Sequence, residues 1–221
     1  MVAETFDERV TGIAALEHPI SRRVYREVLE AGEVSRDDVA GAVGLARSVA
    51  AFHLDKLESA GLLASRFERV SGRTGPGAGR PAKLYRRADA EIALSLPPRS
   101  YDLAGAMLAD AVSRAGADGT PVAEALSEAA RGRGEQVAQE ATAASLMTLL
   151  REHGFEPRAD GSSIALVNCP FHALAAEHTA LVCGMNLDFL TGVISGLGAH
   201  ANLTARLAPS PGHCCVRIER T

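Results

Sequence analysis

The chain lacks the features of a membrane or secreted protein. It has no uncharged apolar run approaching the roughly 20 residues that a bilayer-spanning helix requires. Its first ten residues contain Glu4, Asp7 and Glu8, whereas a secretion signal begins with basic residues followed by an apolar stretch. These absences predict a cytoplasmic protein that does not interact with membranes.

Cysteine is scarce and is confined to the last quarter of the chain. Only Cys169, Cys183, Cys214 and Cys215 occur in 221 residues, too few for a disulfide scaffold. A reducing compartment would keep them as thiols or metal thiolates. Their first interpretation is therefore a soft-metal or redox site.

An overall basic charge is also lacking, since the formal net charge is −4. The distribution matters more than the total, because a local basic patch is enough for phosphate contact. Residues 64–88 contain a single acid, Glu68, and seven basic residues: Arg66, Arg69, Arg73, Arg80, Lys83, Arg86 and Arg87. A nucleic-acid interface is therefore expected in this segment.

The apolar fraction of 47% allows a substantial core and either one large domain or two small ones. Two domains are the preferred prediction. Pro97 and Pro98 mark a boundary by composition.

Residues 19–60 have the pattern of a helix-turn-helix. Pro19 begins a first helix that runs to Gly32, Ser35 and Asp38 resemble a capping box for a short second helix, and Gly44 ends that helix. A third helix is predicted from about Ala46 to Ala60. The spacing of a short helix, a tight turn and a second helix is that of DNA-reading modules.

The third helix is expected to read DNA with its outward face. Val49, Leu54 and Leu57 are predicted to point inward. The residues predicted to lie wholly or partly outward, and to contact DNA, are Arg47, Ser48, Ala51, Phe52, His53 and Lys56. For two of them a structural role is the alternative, with Phe52 partly in the core and His53 supporting packing only.

A basic β-hairpin is predicted to follow. Leu62 to Arg69 and Lys83 to Arg87 have strand character, and the glycine-rich segment 71–81 between them cannot pack a core. Arg73, Arg80 and Lys83 are expected to follow the phosphate backbone or enter a minor groove. A plain three-helix bundle with a solvated basic loop is the alternative.

The motifs in this region resemble those of the ArsR-like winged-helix regulators. The resemblance rests on residues 39–49 and on the sequence His53-Leu54-x-x-Leu57-x-x-x-Gly61-Leu62, and it covers residues 18–90. Residues 79–85 are similar to the wing signature of a branch that includes the iron-sulfur-sensing repressors of the suf operon. The resemblance implies a winged helix-turn-helix fold, binding to double-stranded DNA and a homodimer.

The remaining chain is predicted to have a helical part and a mixed part. Tyr101 to Arg114 and Pro121 to Gly154 are alanine-rich with helical periodicity, and the small residues Ala104, Ala111, Ala138 and Ala141 would let helices approach closely. A homodimer interface and an intrachain bundle explain that pattern equally well. Two hairpins, at 155–168 and 202–219, and two helices between them are then predicted.

The predicted fold class is thus α+β. Its parts are a winged helix-turn-helix domain at 1–96, a helical dimerisation region at 97–154 and a small α+β sensor domain at 155–221 that carries the cysteines.

The four cysteines fall at element edges from which they could converge. Alternation in the last strand places Cys214 with Val216 and Ile218, so Cys214 is the expected third ligand beside Cys169 and Cys183. A bulge or a strand end at this position would make Cys215 the ligand instead. Three thiolates hold an iron-sulfur cluster if another group completes the site. Residues 168–172, 182–183 and 212–218 resemble the cysteine-bearing region of the suf-type regulators, which implies a cluster whose loss changes DNA affinity, although the paired cysteine departs from their pattern.

Three other interpretations of the cysteines stay open. They could bind zinc together with His172 or His213, or serve as inert buried residues in a regulator that responds to an organic ligand. A catalytic thiol paired with His172 or His178 is disfavoured, because no oxyanion-type glycine turn accompanies it. The expected function is therefore that of a transcriptional regulator and not of an enzyme.

Overall fold

The structure is a computed structural model that describes residues 6–68, 81–141, 145–198 and 202–220. The chain is a mixed α and β protein and divides into two compact units. Unit 1 is Met1–Leu94 and unit 2 is Ser95–Thr221. The predicted helical region 97–154 and the predicted sensor region 155–221 both lie in unit 2, where they share one hydrophobic core.

In the described residues of unit 1, four helices pack against a small antiparallel sheet of order β1-β3-β2. Its elements are α1 (Phe6–Ala15), α2 (Pro19–Ala31), β1 (Glu33–Ser35), α3 (Arg36–Val43), α4 (Arg47–Ser59), β2 (Leu63–Glu68) and β3 (Ala82–Arg87). The core lies between α2, α3, α4 and the sheet, with Val24, Leu54 and Tyr85 fully buried. Neither α1 nor β1 was predicted from the sequence.

The helix boundaries of unit 1 follow from local caps. Pro19 opens α2, as predicted, because its missing N–H would be unpaired there in any case. Ser35 and Asp38 form the predicted capping box at the start of α3, with each side chain bonded to the other's backbone N–H. Gly44 ends α3 in the left-handed conformation at φ 68°, which a side chain would disfavour. These caps fix the tight turn between α3 and α4.

The two strands predicted around the glycine-rich segment are present. β2 and β3 pair antiparallel from Leu63 opposite Arg87 to Glu68 opposite Ala82. β1 adds a third strand on the other side of β3, with Val34 opposite Tyr85. β3 is therefore the central strand, and its Tyr85 reaches the helical core.

Unit 2, over the residues that the structure describes, combines five helices with an antiparallel sheet of order β4-β5-β7-β6. Its elements are α5 (Tyr101–Asp118), α6 (Val122–Glu140), α7 (Leu146–Glu152), β4 (Pro157–Asp160), β5 (Ser163–Leu166), α8 (His172–Glu177), α9 (Thr179–Gly196), β6 (Leu203–Leu207) and β7 (Val216–Arg220). Both predicted hairpins and both predicted helices of 155–221 are present. The strand pairs meet in the middle of one sheet, through β5 and β7.

α6 and α9 pack against each other at unusually close range. A Cβ atom built on Gly134 would lie 2.1 Å from the Phe189 carbonyl oxygen, and one on Gly192 would lie 2.0 Å from the Arg131 carbonyl oxygen. Only glycine permits such an approach between two helix backbones. Small residues in this region therefore serve a contact between helices of the same chain. An intrachain bundle was one of the two explanations that the sequence had left open, beside a homodimer interface.

α9 is also long and apolar enough to cross a membrane by length and composition alone. The core helix of a soluble protein has the same properties, and half of this helix is buried inside the protein. Leu190 and Val193 of α9 belong to the hydrophobic core of unit 2.

Candidate nucleic-acid interface and thiol cluster

The outward face of α4 carries most of the residues that the sequence predicted for DNA contact. Arg47, Ser48 and Lys56 are exposed, Phe52 is 64% exposed and Ala51 is half-buried. Arg47 makes an ion pair with Asp37 at 2.6 Å, but both side chains are largely exposed. Such surface pairs contribute little to stability, so Arg47 is available to another anion.

Two assignments on α4 were wrong. His53, expected to lie outward, is only 6% exposed, and its Nδ1 lies 3.0 Å from the Ser21 hydroxyl of α2. Val49, expected inward, is exposed, and Ala50 is buried in its place. Ala50, His53, Leu54 and Leu57 follow helical spacing on one face. The pattern of apolar residues alone predicted the buried face of α4 incorrectly, because the polar His53 is held inside by its hydrogen bond to Ser21.

Desolvation also changes the ionisation of His53. Burial lowers its pKa from the usual value, and the positive potentials of His18 and Lys56 lower it further. The neutral imidazole is therefore favoured inside unit 1. His53 supports the packing of α4 on α2 and is not part of the exposed surface.

Lys83 of β3 lies in a network of charged groups that joins β3 to α4. Its side chain is 18% exposed and its Nζ contacts Asp55 at 2.9 Å and Glu58 at 2.5 Å. Asp55 also accepts hydrogen bonds from Arg36 Nη2 of α3 and from the Tyr85 hydroxyl, at 2.8 Å and 2.7 Å. A phosphate would have to compete with two carboxylates for Lys83.

The ionisation of this network is set by its own hydrogen bonds. Burial would raise the pKa of Asp55, but hydrogen bonds from Tyr85, Lys83 and Arg36 outweigh it and lower the pKa. The pKa of Glu58 is lowered in the same way, against burial, by Lys83 and Ser65. Both carboxylates are therefore ionised at neutral pH and brace the hairpin against α4.

Other basic residues of the hairpin are also paired within unit 1. Arg66 contacts Glu33 and Glu68, each at 2.6 Å, and Arg86 contacts Asp89 at 3.1 Å. Arg73 and Arg80, predicted to contact DNA, lie outside the described residues. The positive patch seen in the sequence is thus partly neutralised by acids that a charge count along one segment does not include.

Cys169 and Cys214 come together in unit 2, although 45 positions separate them in sequence, and Cys215 is the next residue in the chain. Cys169 lies after β5, and Cys214 and Cys215 lie directly before β7. The backbone fixes this arrangement, since Cys214 N–H donates to Leu166 O at 2.8 Å. The thiols of Cys169 and Cys214 interact, as do those of Cys214 and Cys215.

Cys214 has the orientation predicted by strand alternation. It is buried together with Val216 and Ile218, whereas Cys215 and Arg217 are partly exposed. This position makes Cys214 the inner of the two adjacent thiols.

Backbone N–H groups point at the two inner sulfurs. The N–H of Phe171 is directed at Cys169 and that of Val216 at Cys214, in each case from two residues further along the chain. The Cys214 thiol and burial raise the pKa of Cys169 above its usual range despite this N–H. A hydrogen bond with Cys169 lowers the pKa of Cys214, but Cys215 and burial raise it to about 11. Without a cation, the thiols of Cys169 and Cys214 therefore stay protonated at neutral pH.

Cys183 occupies a different position. It is buried in α9, three residues before Asn186, and so lies on the same helix face. Asn186 Nδ2 donates to Cys214 Sγ at 3.1 Å, which places Cys183 one helical turn from the thiol cluster. Sequence reasoning missed Asn186, and its only signal was a polar residue at a core position of an apolar helix.

The described residues contain no ready-made metal site. Within them, no three His, Cys, Asp or Glu side chains form a group that could hold a metal ion as they stand. His172, at the start of α8, is exposed, and the Nδ1 of exposed His213 lies 3.0 Å from Pro211 O. Neither histidine is held against the thiols by a recorded contact among these residues.

Comparison with known proteins bears on unit 1. Residues 16–66 match the family model of a helix-turn-helix domain. The chain carries a helix-turn-helix domain. The match runs from the residues before α2 through α3 and α4 into β2 and includes the exposed face described above. No curated protein and no solved structure matches the chain.

Proposed function

We propose that the protein is a cytoplasmic DNA-binding transcriptional regulator, and not an enzyme, with α4 as its recognition helix. The match of residues 16–66 to a helix-turn-helix domain is the observation that carries this proposal. The α3–turn–α4 geometry supports it, because the second helix of such a pair enters the major groove and contacts base edges with its first residues. Arg47 and Ser48 occupy those positions.

The exposed surface of α4 suits a nucleic acid. Arg47 and Lys56 supply charge for phosphates or guanine, Ser48 supplies a hydroxyl, and Phe52 offers an apolar contact for a thymine methyl group. The β2–β3 hairpin acts as a wing, and Arg73 and Arg80 in its connecting segment contact the backbone or the minor groove. This assignment makes the domain a winged helix-turn-helix of the ArsR-like type.

A homodimer completes the DNA-binding proposal. Two copies related by a twofold axis would place two α4 helices in successive major grooves, about 34 Å apart. The operator is then expected to be a pseudo-palindrome with half-sites one helical turn apart.

The DNA surface is tested by salt-dependent affinity of arginine variants. Arg47→Ala and Arg80→Ala are each expected to weaken binding and to reduce the slope of log K against log salt by about 1, because one phosphate contact is lost. Arg158→Ala, an exposed arginine on β4 of unit 2, is the matched control and should leave both unchanged. Unchanged affinity of the Arg47 and Arg80 variants at low and high salt would reject this surface.

We further propose that unit 2 binds a soft-metal centre, in first place an iron-sulfur cluster. The donor type supports this proposal, because such a centre takes thiolates: the thiol of Cys169 interacts with that of Cys214, Cys215 is adjacent, and N–H groups directed at sulfur stabilise thiolate charge. Cys169 and Cys214 would be ligands, and Cys183 or Cys215 would supply a third thiolate. Zinc is the alternative, since thiolates suit it equally.

Such a centre would couple the signal to DNA binding. Ligation would tie the segment after β5 to the start of β7 and to α9, and so set how unit 2 packs in the dimer and how the two recognition helices are spaced. A change of about 1.4 kcal/mol in this equilibrium alters operator occupancy about tenfold. A small rearrangement is therefore enough for regulation.

The metal proposal is tested on protein purified without oxygen. An iron-sulfur protein should show broad visible absorption together with iron and sulfide, and its DNA affinity should change when the cluster is removed. Zinc in stoichiometric amount without visible absorption would support the alternative. A protein with neither metal would reject a metal centre and leave an organic-ligand regulator, with the DNA-binding proposal unaffected.

A further inference from the structure

One buried polar group of unit 2 lacks a partner within the part of the chain that the structure describes. Asn186 of α9 is fully buried, and its Oδ1 accepts no hydrogen bond from a described residue. Buried polar atoms are almost always paired, because an unpaired one loses its hydration without compensation. This exception lies directly beside the thiol cluster, since the Nδ2 of the same side chain contacts Cys214 Sγ at 3.1 Å.

The other buried asparagine of unit 2 shows that the fold can satisfy such a side chain. Asn168 donates from Nδ2 to Pro98 O at 2.8 Å and to Gly154 O at 2.6 Å. Its Oδ1 accepts a hydrogen bond from Arg99. Both ends of the Asn168 amide are therefore hydrogen-bonded, which gives this residue a structural role. Within the described chain, only the amide nitrogen of Asn186 has a partner.

The nitrogen of Asn186 is placed to stabilise a negative sulfur. Cys214 Sγ receives this N–H and faces the backbone N–H of Val216 as well. A neutral thiol is only a weak acceptor, so two N–H donors on one sulfur are poorly used while it is protonated. They are well used by a metal-bound thiolate, because hydrogen bonds from surrounding groups orient metal ligands and tune the metal.

We propose that Asn186 is the positioning residue of the soft-metal centre in unit 2. Its Nδ2 holds Cys214 as a thiolate ligand, and its Oδ1 accepts a hydrogen bond from a proton-bearing ligand that completes the metal's coordination. This inference rests on the proposed metal site. It extends that site by a residue that is neither a cysteine nor a histidine.

Anaerobic titration with Co²⁺ provides the test, because cobalt bound by thiolates absorbs through sulfur-to-metal charge transfer. In Asn186→Leu, of similar branching but without polar atoms, Co²⁺ affinity should fall 10- to 100-fold, the usual loss for such an outer partner. The charge-transfer band should also move to longer wavelength, since a thiolate without its N–H donor releases an electron more easily. Asn202→Leu, an exposed asparagine of unit 2, is the control and should match the wild type.

The unfolding temperature of the metal-free protein gives a second readout. It should not fall in the variant that binds Co²⁺ more weakly. Asn186→Leu should unfold at a temperature equal to or above that of the wild type, because it removes a buried unpaired oxygen. A residue with a merely structural role would instead lower the unfolding temperature and leave the band position of any bound cobalt unchanged. Asn186→Ala, which removes both polar atoms and adds no volume, keeps the test valid if the leucine does not pack. It leaves Cys214 without the side-chain N–H donor, so the band should again move to longer wavelength.

The outcomes separate this inference from the function on which it rests. Wild-type protein that binds no Co²⁺ and that holds neither iron nor zinc when purified without oxygen would overturn both the metal site and the role of Asn186. Wild-type binding with unchanged affinity and an unchanged band in both Asn186 variants would overturn the role of Asn186 alone. The helix-turn-helix proposal is independent of either result.

Discussion

The two units treat their buried polar groups differently. In unit 1, Asp55 is shared among Arg36, Lys83 and Tyr85, and the buried imidazole of His53 is bonded to Ser21. In unit 2, thiols face one another at raised pKa values, beside an asparagine oxygen that no described residue satisfies. These polar groups of unit 1 thus satisfy one another, whereas unit 2 contains a polar site that its own described residues do not complete.

This difference indicates which residues of each unit are candidates for binding. Because the inner polar groups of unit 1 bind one another, contact with a partner is left to the outward face of α4 and to the hairpin. In unit 2 the unusual chemistry is buried at Cys214 and Asn186, where a macromolecule cannot contact it directly. The first unit is therefore expected to respond to surface substitutions and the second to buried ones.

The free energy of unfolding should change most when a glycine between the closely packed helices of unit 2 is replaced. Gly134→Ala in α6 should destabilise it by about 3 kcal/mol or more, because the new methyl group meets the backbone of α9, which cannot move aside locally. Gly184→Ala in α9 is the control, since a Cβ there meets nothing within 4 Å, and it should stabilise the helix by about 0.5 to 1 kcal/mol.

Amide hydrogen exchange resolved by peptide measures this effect in each unit separately. Gly134→Ala should speed exchange in α6 and α9 and leave α2 and α4 unchanged. Equal protection of α9 in the Gly134 and Gly184 variants would contradict the close packing.

A smaller effect is expected from the charged network of unit 1. Asp55→Ala should reduce the free energy of unfolding by about 1 to 2 kcal/mol, because the Tyr85 hydroxyl and two cations lose their shared acceptor in a site that is 44% exposed at the carboxylate. Asp37→Ala removes a carboxylate whose pair with Arg47 is far more exposed and should cost about 0.5 kcal/mol or less.

Urea unfolding of both aspartate variants gives this comparison, and DNA affinity gives a second one. Asp55→Ala should also weaken DNA binding without changing its salt slope, since it loosens the hairpin on α4 and removes no phosphate contact. Equal stabilities of the two variants would mean that the network does not brace the hairpin.

Local signals in the sequence explain how much of the fold was predictable. The capping pair Ser35 and Asp38, the helix-ending Gly44 and the alternation through Val216 and Ile218 each act within a few residues, and each predicted its element. β1 has only three residues and α1 has no cap that the pattern revealed, so both were missed. Element boundaries otherwise followed from turn residues and periodicity.

The candidate sites were less predictable because they depend on contacts across the chain. His53 was placed outward because nothing near it in sequence reveals its hydrogen bond to Ser21, 32 residues away. Lys83 was assigned to phosphate because Asp55 and Glu58 lie in another element. Cys169 and Cys214 are brought together by the pairing of β5 with β7, which the sequence did not reveal. Asn186 could be recognised only from its burial and its contact with Cys214.

The smallest effect concerns the pH dependence of unit 1 and follows from His53. Burial lowers its pKa in the folded state, so the unfolded chain binds a proton first as the pH falls below about 6.5. The stability that neutral His53 contributes is therefore present above that pH and is lost as the pH falls toward the folded-state pKa. In His53→Gln, which can keep a hydrogen bond to Ser21 but does not titrate, the decline in unfolding temperature between pH 7 and pH 5 should be shallower. His178→Gln, an exposed histidine of unit 2, should keep the wild-type slope, and a slope for His53→Gln as steep as that of the control would show that the imidazole is not held neutral by its burial against α2.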